Sequence, residues 1–144
     1  MKKIIILMIL LASNAFGLSL GDTVNTNTIK TVSTPNTLKV LRVTKTYTEY
    51  TDLNQANRVD TVLVNKKNKK VYGFKWSDKT PEIKTMLGTN ATYKSEFDTA
   101  YAKRHIGEHR RLMIDTEHLS VFQFGLPGGP FSGSMTAKDL APTN

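Results

Sequence analysis

Two histidines and a glutamate have the spacing in this sequence that most suggests chemistry. His105, Glu108 and His109 fit the pattern His-x-x-Glu-His, which is the inverted zinc-protease signature. In enzymes of that kind the histidines bind zinc from one face of a helix, and the glutamate acts as the general base. Here Gly107 lies between them, and glycine commonly ends a helix. The pattern therefore predicts a small metal-dependent hydrolase only as an alternative function, with His118 as a further metal candidate.

The other common catalytic patterns do not occur in the sequence. It contains no cysteine, which excludes disulfides, thiolate metal sites and a lipid-modified cysteine. It has no glycine-rich phosphate loop and no Gly-x-Ser-x-Gly turn to expose a nucleophile. The favoured interpretation is therefore a non-enzymatic protein, with no catalytic residue, metal or cofactor assigned.

A run of lysines is the candidate for anion binding. Lys66, Lys67, Lys69 and Lys70 surround Asn68 between two predicted strands, and asparagine can adopt the left-handed conformation of a tight hairpin. Such a run is either a solvated hairpin tip or a contact for an anionic polymer or lipid. No aromatic residues interleave with the lysines, so the run lacks the stacking surface that a single-stranded nucleic acid requires.

The first 17 residues predict a secretory signal peptide. A basic start with Lys2 and Lys3 precedes an apolar run over residues 4–12, which is too short to cross a bilayer core of about 30 Å. The small residues that follow suit cleavage after Gly17 or, alternatively, after Ala15. We therefore expect an exported protein, periplasmic or extracellular, that does not span the membrane after cleavage.

The formal charge of the full chain is +8, and removal of the leader lowers it by two. A basic protein of this size is attracted to anionic surfaces such as lipopolysaccharide, acidic lipids or acidic polymers. The same charge is also explained by the need to keep a small exported domain in solution. Both interpretations of the charge stay open at this point.

An aromatic strand is predicted to form the centre of the core. Tyr72, Phe74 and Trp76 alternate with other residues, which places three rings on one face of a strand. Burying them at roughly 25 cal/mol per Å² makes this row the main apolar contribution to folding. The alternative is that Trp76 lines an exposed platform for a ligand. The chain is expected to leave the strand at residues 77–79.

A short helix is predicted next. Thr80 is suited to cap it, Pro81 to occupy its first position, and Gly88 to end it with a positive φ. The main helix is predicted over residues 93–106, where apolar residues recur at three- and four-residue spacing until Gly107.

The remaining pattern predicts short strands. They cover residues 38–51 (with a bulge near Leu41), 58–65, 111–115, 119–124 and 131–136, and residues 126–130 form a loop. Residues 18–37 are polar and predict an extended or partly disordered arm. We expect one α+β domain over residues 38–144. Its antiparallel sheet has five or six short strands, with one main and one short helix on the face bearing Phe74 and Trp76.

A set of short motifs resembles a family of small exported bacterial proteins that is catalogued as domain of unknown function 2844. The motifs are Tyr72-x-Phe74-x-Trp76, Pro81-Glu-Ile, Leu87-Gly88, Phe131-Ser132-Gly133 and Leu140-Ala141-Pro142. The sequence departs from the family at residues 77–79, where relatives tend to have a Gly-Pro turn. The resemblance implies export and one small domain, and it implies no activity or functional residues.

The sequence therefore predicts a non-enzymatic module of the periplasm or cell surface that binds an anionic envelope component. The hydrolase built on His105, Glu108 and His109 stays as the alternative. Neither the ligand nor the oligomeric state follows from the sequence.

Overall fold

The computed structural model of the chain describes residues 17–24, 38–103 and 111–143. The seven strands in this part of the chain form one antiparallel sheet, in the order β1-β2-β3-β4-β7-β6-β5. The strands are β1 Leu38–Val43, β2 Tyr47–Asp52, β3 Thr61–Asn65, β4 Val71–Lys79, β5 Arg111–Asp115, β6 Leu119–Gly125 and β7 Phe131–Ala137. The predicted α+β class is confirmed in outline, but the sheet has seven strands rather than five or six.

The additional strand arises because the strand predicted over residues 38–51 is a hairpin. The Thr44 hydroxyl accepts a hydrogen bond from the Tyr47 N–H at 3.0 Å and donates one to the Tyr47 carbonyl at 3.0 Å. This local bonding turns the chain back on itself and separates β1 from β2. The predicted bulge is confirmed, since the register between β1 and β2 shifts between Val40 and Arg42.

The second predicted strand begins later than expected. A short 3-10 helix at Ala56–Arg58 occupies its first residue, and β3 runs only over Thr61–Asn65. All five residues of β3 are buried. This pattern is typical of a strand in the middle of a sheet with both faces covered.

One face of the sheet forms the hydrophobic core. Register places a row of buried apolar residues across six strands: Tyr50, Val62, Phe74, Met135, Val121 and Ile114. Two helices cover this face, α1 Ile83–Leu87 and α2 Ala91–Ala102, through Met86, Leu87, Tyr93 and Phe97. Trp76 is buried in the same cluster, with 3% of its surface exposed. The predicted burial of this indole in the core is therefore confirmed.

Tyr72 does not share the face of Phe74 and Trp76, and this part of the prediction is wrong. The register of β3 with β4 shifts by one residue between Val71 and Gly73, so Tyr72 occupies a bulge. Its ring packs edge-on against Tyr47, with centroids 6.3 Å apart, and lies outside the core cluster. Burial raises the pKa of Tyr72 to about 12.

The strand also continues beyond Trp76, where the sequence predicts a break. Strand β4 extends to Lys79, with an irregular register after Trp76 and a positive φ of 51° at Asp78. Lys79 forms an ion pair with Asp60 at 2.5 Å. The polar stretch at residues 77–79 is therefore a bulged strand end rather than a turn.

The helix signals are partly confirmed. Thr80 does not cap α1, because Glu82 occupies the N-cap position without a side-chain hydrogen bond. Gly88 ends α1 with a φ of 68°, as predicted. Helix α2 begins after Asn90, whose side chain accepts a hydrogen bond from the Tyr93 N–H at 3.0 Å. The predicted end of this helix at Gly107 lies outside the described residues.

The start of the predicted polar arm is part of the packed structure. Leu20 and Val24 are buried in the core, and the Leu20 N–H donates to the Met86 carbonyl at 2.8 Å. Thr23 forms an antiparallel bridge with Lys70. Residues 18–24 therefore pack against the domain, while residues 25–37 and residues 1–16 lie outside the described residues.

The last three strands agree with prediction. Strands β5 and β6 form a hairpin around residues 116–118, and β7 lies between β6 and β4. Gly133 in β7 permits a close approach, because a Cβ atom there would lie 2.1 Å from the Phe122 carbonyl oxygen. In the described part of the chain, no helix has the length and apolar character needed to cross a membrane.

Candidate functional site

Five exposed lysines lie together at one end of the sheet, and we call this group the lysine surface. It consists of Lys45, Lys66, Lys67, Lys69 and Lys70. The last four belong to the turn between β3 and β4, as predicted, and Lys45 belongs to the turn between β1 and β2. Among the described residues, no carboxylate lies within ion-pair distance of any of these five ammonium groups. Their positive charge is therefore available to a partner.

Hydrogen bonds fix the two turns against each other. The Lys66 N–H donates to the Thr46 carbonyl at 3.0 Å, and the Lys66 ammonium donates to the Thr44 carbonyl at 3.2 Å. Asn65 is buried, and its side chain accepts from the Lys67 N–H at 2.9 Å and donates to the Leu140 carbonyl at 2.9 Å. The lysine backbones are thus held in one arrangement.

The prediction that Asn68 adopts the left-handed conformation is wrong. Lys69 has the positive φ, of 61°, whereas Asn68 is not among the residues with positive φ in the described chain. The Asn68 side chain instead accepts a hydrogen bond from the Lys70 N–H at 2.9 Å. The asparagine therefore stabilises the turn through its side chain, and the backbone strain falls on a neighbouring lysine.

Lys45 is the member of the lysine surface that the sequence does not predict. The sequence pattern predicts a continuous strand over residues 38–51, which includes Lys45. The sequence signal for a turn at this point is the order Thr-Lys-Thr at residues 44–46, because a threonine hydroxyl can form hydrogen bonds to nearby backbone groups and so close a turn. The contact between the two turns depends on the pairing of β2 with β3, which brings Tyr47 opposite Asn65.

His118 is engaged by a carboxylate. Its Nδ1 lies 2.5 Å from Glu96 Oε2, and its backbone N–H donates to Glu96 Oε1 at 2.9 Å. The Thr116 hydroxyl also donates to Glu96. These contacts join helix α2 to the turn between β5 and β6. His118 is therefore bonded into a turn, and in the described part of the chain no three His, Asp or Glu residues are grouped to hold a metal.

The charge states of this pair follow from the contacts. The Thr116 hydroxyl, then the His118 ring and N–H, hold the pKa of the Glu96 carboxyl down at about 2. The hydrogen bond to Glu96, with smaller contributions from Glu117 and Asp139, raises the pKa of His118 above 6.5. The pair is therefore an ion pair in mildly acidic solution.

The motif His105-x-x-Glu108-His109 lies outside the described residues. The metal-dependent hydrolase built on it stays a prediction, with no observation of the described residues in its favour.

A second candidate site lies at the opposite end of the sheet. A pocket of about 510 Å³ opens between the chain that follows β4, helix α2 and the starts of β5 and β7. We call it the helix-side pocket. Its apolar wall contains Phe97, Tyr101, Leu112 and Phe131. The rings of Phe97 and Tyr101 are stacked, with centroids 5.6 Å apart.

Two buried polar atoms lie on the sheet surface at this end without hydrogen-bond partners among the described residues. They are Oε1 of Gln123, a residue that lines the pocket, and Nε1 of Trp76. Gln123 and Trp76 are the two cross-strand neighbours of Gly133, one on each side. Most buried polar groups in proteins are hydrogen-bonded, so these two atoms call for an explanation.

Comparison with known proteins does not supply a family. No protein family, curated protein or solved structure matches this chain. The resemblance to the family of exported bacterial proteins therefore stays a prediction.

The geometry of the two sites sets what each can do. The lysine surface is exposed and positively charged, so it suits contacts with an extended anionic partner. The helix-side pocket is concave and mostly apolar, with one amide in its wall, which is the usual composition of a small-molecule site.

Proposed function

We propose that the protein is an exported, non-enzymatic module that binds an anionic component of the cell envelope through the lysine surface. The observation that carries this proposal is the addition of Lys45 to the four predicted lysines, all five exposed and without a carboxylate partner in the described structure. The partner class is one rich in phosphate or carboxylate groups, such as an acidic lipid headgroup or an acidic polymer.

The distribution of charge supports this partner. Elsewhere in the described chain several basic groups are neutralised within the molecule, for example Lys75 by Glu49 at 3.5 Å and Lys79 by Asp60 at 2.5 Å. Within the described part of the chain, the ammonium groups of the lysine surface have no carboxylate partner, so an external anion meets a positive charge that these residues do not cancel. Each lysine near an anionic membrane contributes about 1 kcal/mol to binding.

The rigidity of the turns also supports it. Asn65, Lys66 and Lys69 make backbone and side-chain hydrogen bonds that fix the turn between β3 and β4. The N–H of Val24 also donates to the Lys69 carbonyl at 2.7 Å. A fixed backbone lowers the entropy lost on binding, which leaves only the lysine side chains to be ordered.

The predicted signal peptide and the resemblance to an exported family support a partner outside the cytoplasm. We therefore expect binding to envelope lipids or polymers rather than to nucleic acid.

The test compares two variants with the same loss of charge. In the first, Lys66, Lys67, Lys69 and Lys70 are replaced by Gln. In the second, four exposed lysines outside the lysine surface are replaced by Gln: Lys39, Lys84, Lys94 and Lys103. Binding to vesicles of phosphatidylcholine, with and without phosphatidylglycerol, is measured by co-sedimentation at low salt and at about 0.15 M salt, where the Debye length is about 8 Å.

We expect the parent protein to bind only the vesicles that contain phosphatidylglycerol, and to bind them less tightly as salt rises. The first variant should bind roughly several hundred-fold less tightly, since four lysines at about 1 kcal/mol each lose about 4 kcal/mol of binding free energy. The second variant should lose much less of its affinity for these vesicles. A parallel assay with soluble polyphosphate distinguishes a polymer from a lipid surface. Equal losses in the two variants, or a parent that binds neither probe, would refute the proposal.

A further inference from the structure

The helix-side pocket has features that the binding of an anionic surface does not use. Its volume of about 510 Å³ lies within the range of roughly 300–1,000 Å³ that small-molecule sites occupy. It lies at the end of the sheet opposite the lysine surface. A ligand in the pocket would therefore be independent of the proposed envelope contact.

The wall of the pocket is suited to a ring. Phe97 and Tyr101 are nearly parallel, with an interplanar angle of 16°, and Phe131 and Leu112 also line the space. Aromatic side chains favour stacked or edge-on contacts with another ring. Tyr101 is 44% exposed although it is large and apolar, so a ring placed on it would remove apolar surface from water.

The amide in the wall requires a hydrogen-bond donor. Gln123 is only 9% exposed, and its Oε1 has no partner among the described residues. A buried acceptor without a partner is unfavourable. A ligand with an O–H or N–H group that reaches Gln123 would remove that cost.

The charges around the pocket are balanced. Two acidic residues, Glu82 and Asp98, and two basic residues, Lys84 and Arg111, contribute to the lining. Counted over the described residues, the lining therefore carries no net formal charge, in a chain whose formal charge is +8. This balance gives no net attraction to an anion or a cation, and it favours a neutral ligand.

We propose that the helix-side pocket binds a small neutral aromatic molecule that carries a hydroxyl or amide donor, with its ring against Phe97 and Tyr101 and its donor on Gln123. The phenols are the simplest members of this class. The sole tryptophan of the chain lies two strands from Gln123, roughly 10 Å away by the spacing of strands, and reports on the site.

The test uses two probes of similar shape. The first is p-cresol, whose hydroxyl donates a hydrogen bond, and the second is 4-methylanisole, whose ether oxygen only accepts. Each is titrated into uniformly nitrogen-15-labelled protein, and amide and indole resonances are followed by NMR. We expect saturable shifts at the Trp76 indole N–H and at the backbone amides of Phe97 and Tyr101. A neutral hydrogen bond should make p-cresol bind roughly three- to tenfold more tightly.

Three variants identify the contacts. Gln123→Leu removes the hydrogen-bond acceptor and puts an apolar side chain of similar size in its place. We expect this variant to fold and to bind the two probes with equal affinity. Tyr101→Ala removes an exposed part of the pocket wall and should weaken the binding of both probes by a similar factor. Phe124→Ala, on the opposite face of the sheet, should leave the affinity for both probes unchanged. Phe124 is 51% exposed, with its ring 5.7 Å from that of Phe122, so it is also the control for unspecific binding.

Several results would overturn the inference. These are shifts that do not saturate, shifts confined to Phe122 and Phe124, or a preference for p-cresol that persists in Gln123→Leu. The variant with Gln at Lys66, Lys67, Lys69 and Lys70 should bind p-cresol as the parent does. This separates the pocket from the lysine surface.

Discussion

The two ends of the sheet satisfy their polar groups in different ways. At the end that carries the lysine surface, side chains such as Thr44, Asn65 and Asn68 bond to backbone groups and fix each turn. At the end that carries the helix-side pocket, Trp76 Nε1 and Gln123 Oε1 are buried without partners in the described structure. The pocket end also has side-chain hydrogen bonds, from the Ser77 N–H to Asp60 at 2.6 Å and from the Asn54 N–H to Asp52 at 3.1 Å. What distinguishes it is the pair of buried polar atoms without partners beside apolar side chains.

This difference explains where each end can bind a partner. Where turns are closed by their own side chains, the long charged residues between them are left free to point outward. Where apolar shapes meet imperfectly, a cavity remains, and a polar group in its wall keeps an unused hydrogen-bonding capacity. The first arrangement favours a surface contact and the second an enclosed ligand. The predictions below test the difference, from the largest expected effect to the smallest.

The largest effect should come from Gly133, between Trp76 and Gln123. A Cβ atom at this position would lie 2.1 Å from the Phe122 carbonyl oxygen and 2.8 Å from the Gln123 Cα. Both neighbours are backbone, so β6 and β7 would have to separate. We expect Gly133→Ala to lower the free energy of unfolding by about 3 kcal/mol or more, measured by urea denaturation.

The control is Gly128→Ala in the loop between β6 and β7. Gly128 has a φ of +81° and no atom within 4 Å of an added Cβ, so only backbone strain opposes the change. Left-handed backbone costs a non-glycine residue about 1–2 kcal/mol. If Gly133→Ala is no more harmful than Gly128→Ala, then shape does not determine stability at this end of the sheet.

The next effect concerns the hydrogen bonds of the lysine end. Asn65→Ala removes a bond from the Lys67 N–H and a bond to the Leu140 carbonyl, both at 2.9 Å, from a side chain that is 6% exposed. At about 1 kcal/mol for each bond, we expect a loss of about 2 kcal/mol in the free energy of unfolding, measured by urea denaturation.

Asn68→Ala is the matched change in the same turn. Asn68 is exposed and makes a bond from the Lys70 N–H at 2.9 Å and a long one to the Leu140 carbonyl at 3.4 Å. Water can replace these hydrogen bonds, so we expect the free energy of unfolding to fall by less than about 1 kcal/mol. Equal losses in the two variants would show that burial of Asn65 does not matter, and the contrast between the two ends would weaken.

The sequence predicts the elements whose signals are local. The strand bearing Phe74 and Trp76, the end of α1 at Gly88 and the hairpin of β5 and β6 follow from side-chain alternation and turn residues. The errors are also local in origin. The bulge at Tyr72 changes the face of one residue, and the turn at residues 44–46 is closed by threonines, which also favour strands.

The candidate sites are less predictable, because they join distant parts of the chain. Four members of the lysine surface lie within five consecutive residues and follow from the sequence, but Lys45 joins them only through the pairing of β2 with β3. The pocket combines Tyr101 of α2 with Gln123 of β6 and Phe131 of β7. The order of strands β4, β7 and β6 brings them together, and no local pattern specifies that order.

The smallest effect concerns the ion pair of Glu96 and His118, which joins helix α2 to the turn between β5 and β6. The pKa of His118 is raised above 6.5, so its contribution to stability is complete below pH 6.5 and is lost as pH rises through the raised value. The pKa of Glu96 is lowered from 4.5 to about 2, so its contribution is present above pH 4.5 and is lost as pH falls toward 2. The pair should therefore stabilise the turn most between about pH 4.5 and 6.5.

The titration of the His118 ring by NMR, assigned through its loss in His118→Gln, tests this pair directly. We expect Glu96→Gln to return the pKa of His118 toward its ordinary value, because the hydrogen bond to Glu96 is the main cause of the shift. Glu117→Gln is the control. The Glu117 carboxylate is 84% exposed and lies 4.0 Å from His118 Nε2, so solvent screens it and its loss should change the pKa much less. If the two variants shift the pKa of His118 equally, the turn is organised by general electrostatics rather than by the contact with Glu96. This turn would then differ from the turns of the lysine surface, which specific hydrogen bonds close.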